Sequence, residues 1–160
     1  MSSRTLLLIL LALCAIVVGL LAADQRGGLA SLWGGRALHG PHLKVAPLEH
    51  DFGVVRQSAG PVSATFEVSN IGSEDVLVTG TPASCSCTSG SISTASIAPG
   101  ETAVLTVTFD PNYHFESDER FFRTVVVESN AHEEAPKVTV WMKVDYDLGR
   151  DKLKFPPDTD

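Results

Sequence analysis

An all-β fold is what this 160-residue sequence predicts: a two-sheet sandwich of about seven strands behind one apolar N-terminal helix. Three observations carry that expectation. Between Lys44 and Tyr146 the apolar residues recur at every second position in short runs, the period of a half-buried strand. Turn-forming residues punctuate those runs, and no stretch there carries a convincing helical period. Ahead of them a single, nearly pure apolar segment runs from Thr5 to Ala23.

That segment comprises 19 residues, follows Arg4 and stops at Asp24-Gln25-Arg26. As a helix it spans roughly 28 Å, close to the hydrocarbon thickness of a bilayer. It is longer than the about 7–15 residues of a signal-peptide core. Its end, Leu21-Ala22-Ala23, offers no clean small-x-small cleavage site. Residues 1–23 therefore read as an uncleaved signal-anchor, with a cleaved signal peptide as the alternative. In both cases Arg4 stays on the cytoplasmic side and everything after Asp24 is exported. The expected location is the inner (cytoplasmic) membrane, single-pass, with the C-terminal domain outside the cytoplasm; after cleavage the protein is secreted. Cys14 follows Leu11-Ala12-Leu13 and precedes nine mostly apolar residues, so it reads as a membrane-buried small hydrophobe rather than a lipidation site.

Residues 24–43 are glycine-rich and read as a flexible juxtamembrane linker, with Leu32 and Trp33 suited to the membrane interface. His39-Gly40-Pro41-His42 is a poor metal site in such a segment. The strands follow over residues 44–146. Val62, Ala64, Phe66 and Val68 alternate with Ser63, Thr65, Glu67 and Ser69, and Asn70-Ile71-Gly72-Ser73 turns the chain. Val76 to Thr79 is a short strand leading to the cysteines. Pro99-Gly100-Glu101 is a tight turn. Ala103, Leu105, Val107 and Phe109 share one face. Thr124 to Ser129 forms a strand with Val125 and Val127 together, and Val138, Val140, Met142 and Val144 close the set opposite Thr139, Trp141 and Lys143. This spacing is that of an immunoglobulin-like sandwich, without the Cys-Trp-Cys pattern of antibody domains. Residues 147–160, acidic and ending near Pro156-Pro157, read as a disordered tail.

Charge narrows the partners. All 19 acidic residues lie beyond the apolar run against 11 of the 12 basic ones, a net of about −8, which opposes nucleic acid and anionic lipid surfaces. No nucleophile elbow, Ser-x-x-Lys, phosphate-binding loop or His-Glu-x-x-His is present. Neither an enzyme nor a bound cofactor is expected.

Six elements in order carry a resemblance: Asp51-Phe52-Gly53-x-Val55, Phe66-x-Val68-x-Asn70-x-Gly72, Ser84-Cys85-Ser86-Cys87-Thr88, Ile97-x-Pro99-Gly100-Glu101, Val107-x-Phe109-Asp110 and Ser129-Asn130. Together they resemble a bacterial group of exported immunoglobulin-like domains of unknown function marked by a Cys-Gly-Cys-Thr motif. That group is similar to Hydin-type and major-sperm-protein-type β-sandwiches. The resemblance implies fold and address, and an interaction or scaffolding role, rather than an activity. Ser86 stands where the motif has Gly, so a left-handed turn there would be mildly strained. Residues 112–120 depart from the usual short hairpin.

Candidate functional residues fall into three groups. Cys85 and Cys87 permit a small-ring redox disulfide, a soft-metal (Cu or Zn) site with His50, His114 or His132 as third ligand, intermolecular pairing, or two small side chains at a sandwich edge. Asp110, Asn112, Glu116, Asp118 and Glu119 place oxygen ligands in one loop, but without the glycine and glutamate spacing of a calcium-binding EF-hand; a solvated hairpin tip is the simpler reading. Phe115, Phe121, Phe122 and Trp141 are candidates for a partner-binding surface. The sequence thus predicts a non-catalytic, membrane-anchored or exported interaction domain that binds an unidentified envelope protein. The alternative is a thiol-redox or soft-metal-binding protein working through Cys85 and Cys87.

Overall fold

The computed structural model describes residues 38–131 and 134–156. The expected membrane segment Thr5 to Ala23, Cys14, the linker as far as residue 37 and His132 lie outside the described residues. Among the described residues no helix is long and apolar enough to cross a membrane.

The described chain is all-β, in several sheets consistent with a β-sandwich. Its strands are β1 (Leu43–Ala46), β2 (Glu49–Arg56), β3 (Val62–Asn70), β4 (Val76–Gly80), β5 (Thr88–Ile92), β6 (Ser96–Ile97), β7 (Thr102–Phe109), β8 (Phe121–Val126), β9 (Glu128–Ser129) and β10 (Lys137–Asp145). One sheet has the order β1-β3-β7-β5, a second β2-β10-β8, and a short third β6-β4-β9. The expected count of about seven strands was low. β1 pairs with β3, and after Pro47-Leu48 the chain crosses so that β2 lies parallel to β10. The expected strand from Thr124 to Ser129 divides into β8 and β9, and β5 and the two-residue β6 add to the count.

Strand alternation sets the core. Phe66 faces Leu105, Ala64 faces Val107 and Val68 faces Ala103 across the β3–β7 pair, so large side chains sit opposite one another or beside small ones. From the second sheet Val125, Val138, Val140 and Met142 are fully buried, and one apolar cluster joins residues of all three sheets. A core drawn from several sheets is what lets a domain of this size fold around one apolar interior.

The motif residues earn their places in different ways. At Asp51-Phe52-Gly53 the register of β2 against β10 shifts by one residue, Gly53 takes φ +66°, and the Asp51 carboxylate accepts its N–H at 2.8 Å. A bulge with glycine in the left-handed region does this. Phe52 packs against the core beside it. Asn70 and Gly72 are residue types that tolerate left-handed backbone in a turn, but neither adopts it here. Asn70 is buried and bonds three segments together, whereas Gly72 lacks a side chain because the Gly40 carbonyl and His42 amide occupy that space: a β-carbon there would come within 2.1 Å of Gly40 O. Asn130 does bond loop backbone, accepting from Leu77 N–H at 2.8 Å and donating to Asp75 O at 3.2 Å.

Two boundaries move. The end of the expected linker belongs to the folded unit, since Leu38 bridges to Gly72 and His42 O accepts from Ile71 N–H at 2.9 Å. The expected disordered tail is ordered through residue 156. Leu153 is buried, Lys154 and Phe155 N–H groups donate to Asn112 and Tyr113 carbonyls at 2.7 and 2.9 Å, and the Asp147 carboxylate accepts from both Ser58 N–H and Ser58 Oγ. The Ser58 hydrogen bonds hold the Asp147 carboxyl below its ordinary range. One leucine and a few backbone partners thus outweighed the acidic composition on which the disorder expectation rested.

A candidate site at the cysteine turn

The cysteines do not lie on an extended strand. Leaving β4, the chain pairs briefly with β8 through Ala83 and Ser84, then turns so that Thr88 N–H bonds Cys85 O at 3.2 Å. The turn brings the Cα atoms of residues 85 and 87 to 5.3 Å, and Cys85 and Cys87 are joined as a disulfide. An extended pair at i and i+2 would hold its β-carbons too far apart for that bond. Ser86, expected to carry mild strain, has no left-handed φ and carries none of the kind expected. Asp110 N–H donates to Cys87 O at 2.8 Å, which ties the turn to the end of β7. Cys87 is buried; Cys85 is partly open to solvent.

The loop between β7 and β8 folds back over this turn. It places Glu116 Oε1 at 3.0 Å from Cys87 Sγ and 3.8 Å from Cys85 Sγ. In the disulfide neither sulfur carries a proton, so this contact becomes a hydrogen bond only when Cys87 is reduced. The Glu116 side chain is 7% exposed. A carboxylate so far out of water requires a partner. Arg123 of β8 supplies it at Oε2, while His114 Nε2 sits 3.0 Å from Oε1. Tyr146 Oη accepts the Glu116 N–H at 3.0 Å and fixes the backbone. Arg123 lies over the Phe121 ring, donates to Phe122 O at 2.8 Å, and leaves its Nε buried without a partner. Burial lowers the Arg123 pKa, opposed by Tyr146, and burial raises that of Tyr146. Among the described residues Cys85, Cys87 and Glu116 form a group whose ligand atoms all lie within 4.8 Å of one another.

Other candidate residues are dispersed. His50 sits on β2 with its ring 4.7 Å from Phe52, outside the sulfur group. His42 Nε2 is within 3.1 Å of the His39 carbonyl. The acidic loop does not gather its oxygens: Asp118 grips Arg150 at 2.6 and 2.7 Å, Asp110 caps Asn112 N–H at 2.9 Å, and Glu116 points at the sulfurs. The aromatic set divides. Phe115 lies 5.4 Å from Tyr146 and beneath the Arg150 guanidinium at 4.0 Å. Phe121 turns inward, 5.9 Å from Phe109. Phe122 and Trp141 face outward together, 4.9 Å apart, with Arg120 4.5 Å over the indole.

Sequence reasoning did not single out Arg123 or pair Glu116 with the cysteines. The signal for Arg123 was present in the alternation. Phe121, Arg123, Val125 and Val127 share one strand face, and an arginine in an inward series demands a buried acid.

Residues 43–144 match the model of the DUF1573 family, described as proteins of unknown function, and the chain belongs to that family. No curated protein matches it in sequence. Among solved structures it is similar to a protein of unknown function from Porphyromonas gingivalis, at 13% identity and TM-score 0.54, over 68% of this chain and 49% of that one. It therefore spans about half the length of that relative. It is also similar to the YadV chaperone (10% identity, TM-score 0.49, 67% and 54% of the two chains) and to the E. coli chaperone DraB (11%, 0.48, 70% and 60%). At such identities a likeness is one of fold alone.

Proposed function

We propose that this DUF1573 member is a non-catalytic, immunoglobulin-like protein-interaction domain, held by Thr5 to Ala23 at the membrane and facing the outside of the cytoplasm, where it binds another envelope protein. The observation that carries the reading is the outward pair Phe122–Trp141 under Arg120. Phe122 is 49% exposed, although it is a large apolar residue on a strand, and Trp, aromatic and Arg groupings of this kind dominate binding energy at protein interfaces. Across the same sheet Trp141 Nε1 donates to Glu49 at 3.3 Å and Arg120 to Asp51 at 2.9 Å, so the pair is held in place before any partner arrives. Beside it β2 pairs, among the described residues, only with β10 and exposes Val54, with Leu48 exposed just before the strand. Such an edge suits an extended segment of the partner adding as a further strand.

The test is capture of partners by the full-length protein from detergent-solubilised envelopes. Phe122→Ala with Trp141→Ala is expected to reduce recovery at least about tenfold, since two interface aromatics cost about 2 kcal/mol or more when truncated, while unfolding midpoints stay close to wild type. Undiminished recovery would remove this surface from the reading. Phe121 is excluded from the test set because its ring packs against the core.

A second reading has its own support: the disulfide lies against a carboxylate that is 7% exposed and arginine-paired. Reversible thiol chemistry at Cys85 and Cys87 follows from it, with the partly open Cys85 sulfur as the one an incoming thiolate reaches. Mass spectrometry of the folded protein after mild dithiol treatment and alkylation is expected to add two alkyl groups here. A pair that is modified only after denaturation would end this reading.

A further inference from the structure

We infer that the reduced Cys85–Cys87 pair, together with Glu116, is a binding site for a thiophilic divalent cation of the zinc class, closed while the disulfide stands and opened by its reduction. The inference rests on the thiol reading above and assigns that site its ligand.

The donor geometry leads to it. Tetrahedral Zn²⁺ bonds thiolate sulfur at about 2.3 Å and carboxylate oxygen at about 2.0–2.2 Å. Two such ligands on one ion therefore stand roughly 3.6 Å apart. Glu116 Oε1 already lies 3.0 and 3.8 Å from the two sulfurs, bracketing that separation. The sulfurs themselves must part once the bond between them is gone, and with Cα atoms 5.3 Å apart they can do so without moving the turn. All three donors come from backbone that is fixed independently of any ion: the turn by the Thr88 N–H to Cys85 O and Asp110 N–H to Cys87 O bonds, the loop by Glu116 N–H to Tyr146 Oη.

The electrostatics point the same way. Two thiolates and a carboxylate in a poorly solvated pocket are untenable unless cations balance them. Arg123 brings one positive charge at Oε2, and a divalent ion brings two, so the assembly closes at neutrality. A carboxylate that offers one oxygen to a metal while an arginine holds the other is the usual outer-sphere arrangement around such ions. The oxygen donor also selects the metal. Cu(I) is satisfied by soft sulfur and gains little from a carboxylate, whereas Zn²⁺ accepts mixed sulfur and oxygen ligands.

A dithiol reductant transfers two electrons and two protons to the Cys85–Cys87 bond, giving two thiols and its own disulfide. Binding of the divalent ion then releases both thiol protons to solvent and leaves two metal–thiolate bonds, with Glu116 Oε1 as third protein ligand and water in the fourth position.

Full-length protein in detergent tests this, before and after reduction with a non-coordinating phosphine and removal of excess reductant. One equivalent of Zn²⁺ is expected to bind the reduced protein and none the oxidised. Co²⁺ in its place should give a thiolate-to-metal charge-transfer band with tetrahedral ligand-field absorption. X-ray absorption at the zinc edge should report two sulfur and two lighter ligands. Glu116→Gln is expected to weaken Zn²⁺ binding at least about tenfold and to leave Cu(I) binding unchanged. If alkylation shows that the pair cannot be reduced in the folded protein, the thiol reading itself falls. If the pair is reduced yet takes up no Zn²⁺, or Glu116→Gln binds it as tightly as wild type, the site assigned here falls and the thiol reading stands. The wild-type spectra decide the matter should the variant fold poorly.

Discussion

Asn70→Ala is expected to lower stability by about 3–4 kcal/mol, more than any other single polar substitution outside the cysteine site. Asn70 is 1% exposed and sits where three segments meet. Its Nδ2 donates to Glu74 O at 2.7 Å and Ile97 O at 2.8 Å, and its Oδ1 accepts Gly72 N–H at 2.9 Å. Its own backbone completes the knot, donating to Glu101 O and accepting from Gly100 N–H, both at 3.0 Å. Truncation leaves the Gly72 amide buried without that acceptor and takes a donor from both the Glu74 and Ile97 carbonyls. Each such lost partner costs about 1–3 kcal/mol. Asn70→Asp should be no milder, although it preserves shape, because a carboxylate oxygen would then face two carbonyl oxygens out of water. A urea titration would read the effect directly as a shift in midpoint at unchanged slope. A loss below about 1 kcal/mol would mean that water enters the Asn70 pocket and replaces its bonds.

The same residue illustrates what could be read from the sequence. Asn70-x-Gly72 was legible as a turn, but the residues are there for burial of the amide and close approach by the Gly40 segment, not for a left-handed backbone that turn residues tolerate. Both depend on chain far away in sequence. Strand faces, by contrast, were legible in full wherever period-two alternation was clean: Ala64-Phe66-Val68, Ala103 to Phe109 and Val138 to Val144 all point inward. Strand β5 was missed because Thr88–Ile92 contains one large apolar residue. Its Gly90 is small for a tertiary reason, since a β-carbon would come within 2.7 Å of Val125. The parallel pairing of β2 with β10 leaves no local mark, because β2 is mostly exposed. For the site, the cysteine spacing was visible in the chain, while the carboxylate that faces it was visible only as one acid among four in a loop. No spacing rule links residue 116 to residue 87; the turn and the loop are brought together by separate strands.

Arg123→Ala is expected to cost about 3 kcal/mol, the low end of the range for removing one partner from a buried ion pair. The substitution strands the Glu116 carboxylate, 7% exposed, with only His114 Nε2 left beside it, at 3.0 Å from Oε1. It also removes the guanidinium from above Phe121, 4.9 Å away, and so opens the core edge beside Phe109. The unfolding midpoint should fall by about 4 °C per kcal/mol for a domain of this size. A shift of only a degree or two would show that water already solvates the carboxylate. The decisive comparison is the double replacement Glu116→Leu with Arg123→Met. Exchanging a buried pair for apolar side chains of similar volume is commonly neutral or stabilising by about 1–4 kcal/mol. The pair also leaves Arg123 Nε buried and unbonded, a further cost the apolar version would not carry. If the double variant regains wild-type stability and, after reduction, no longer retains Zn²⁺, the ion pair is not what holds the sandwich together. The acid is then present for the sulfurs, and the arginine for the acid.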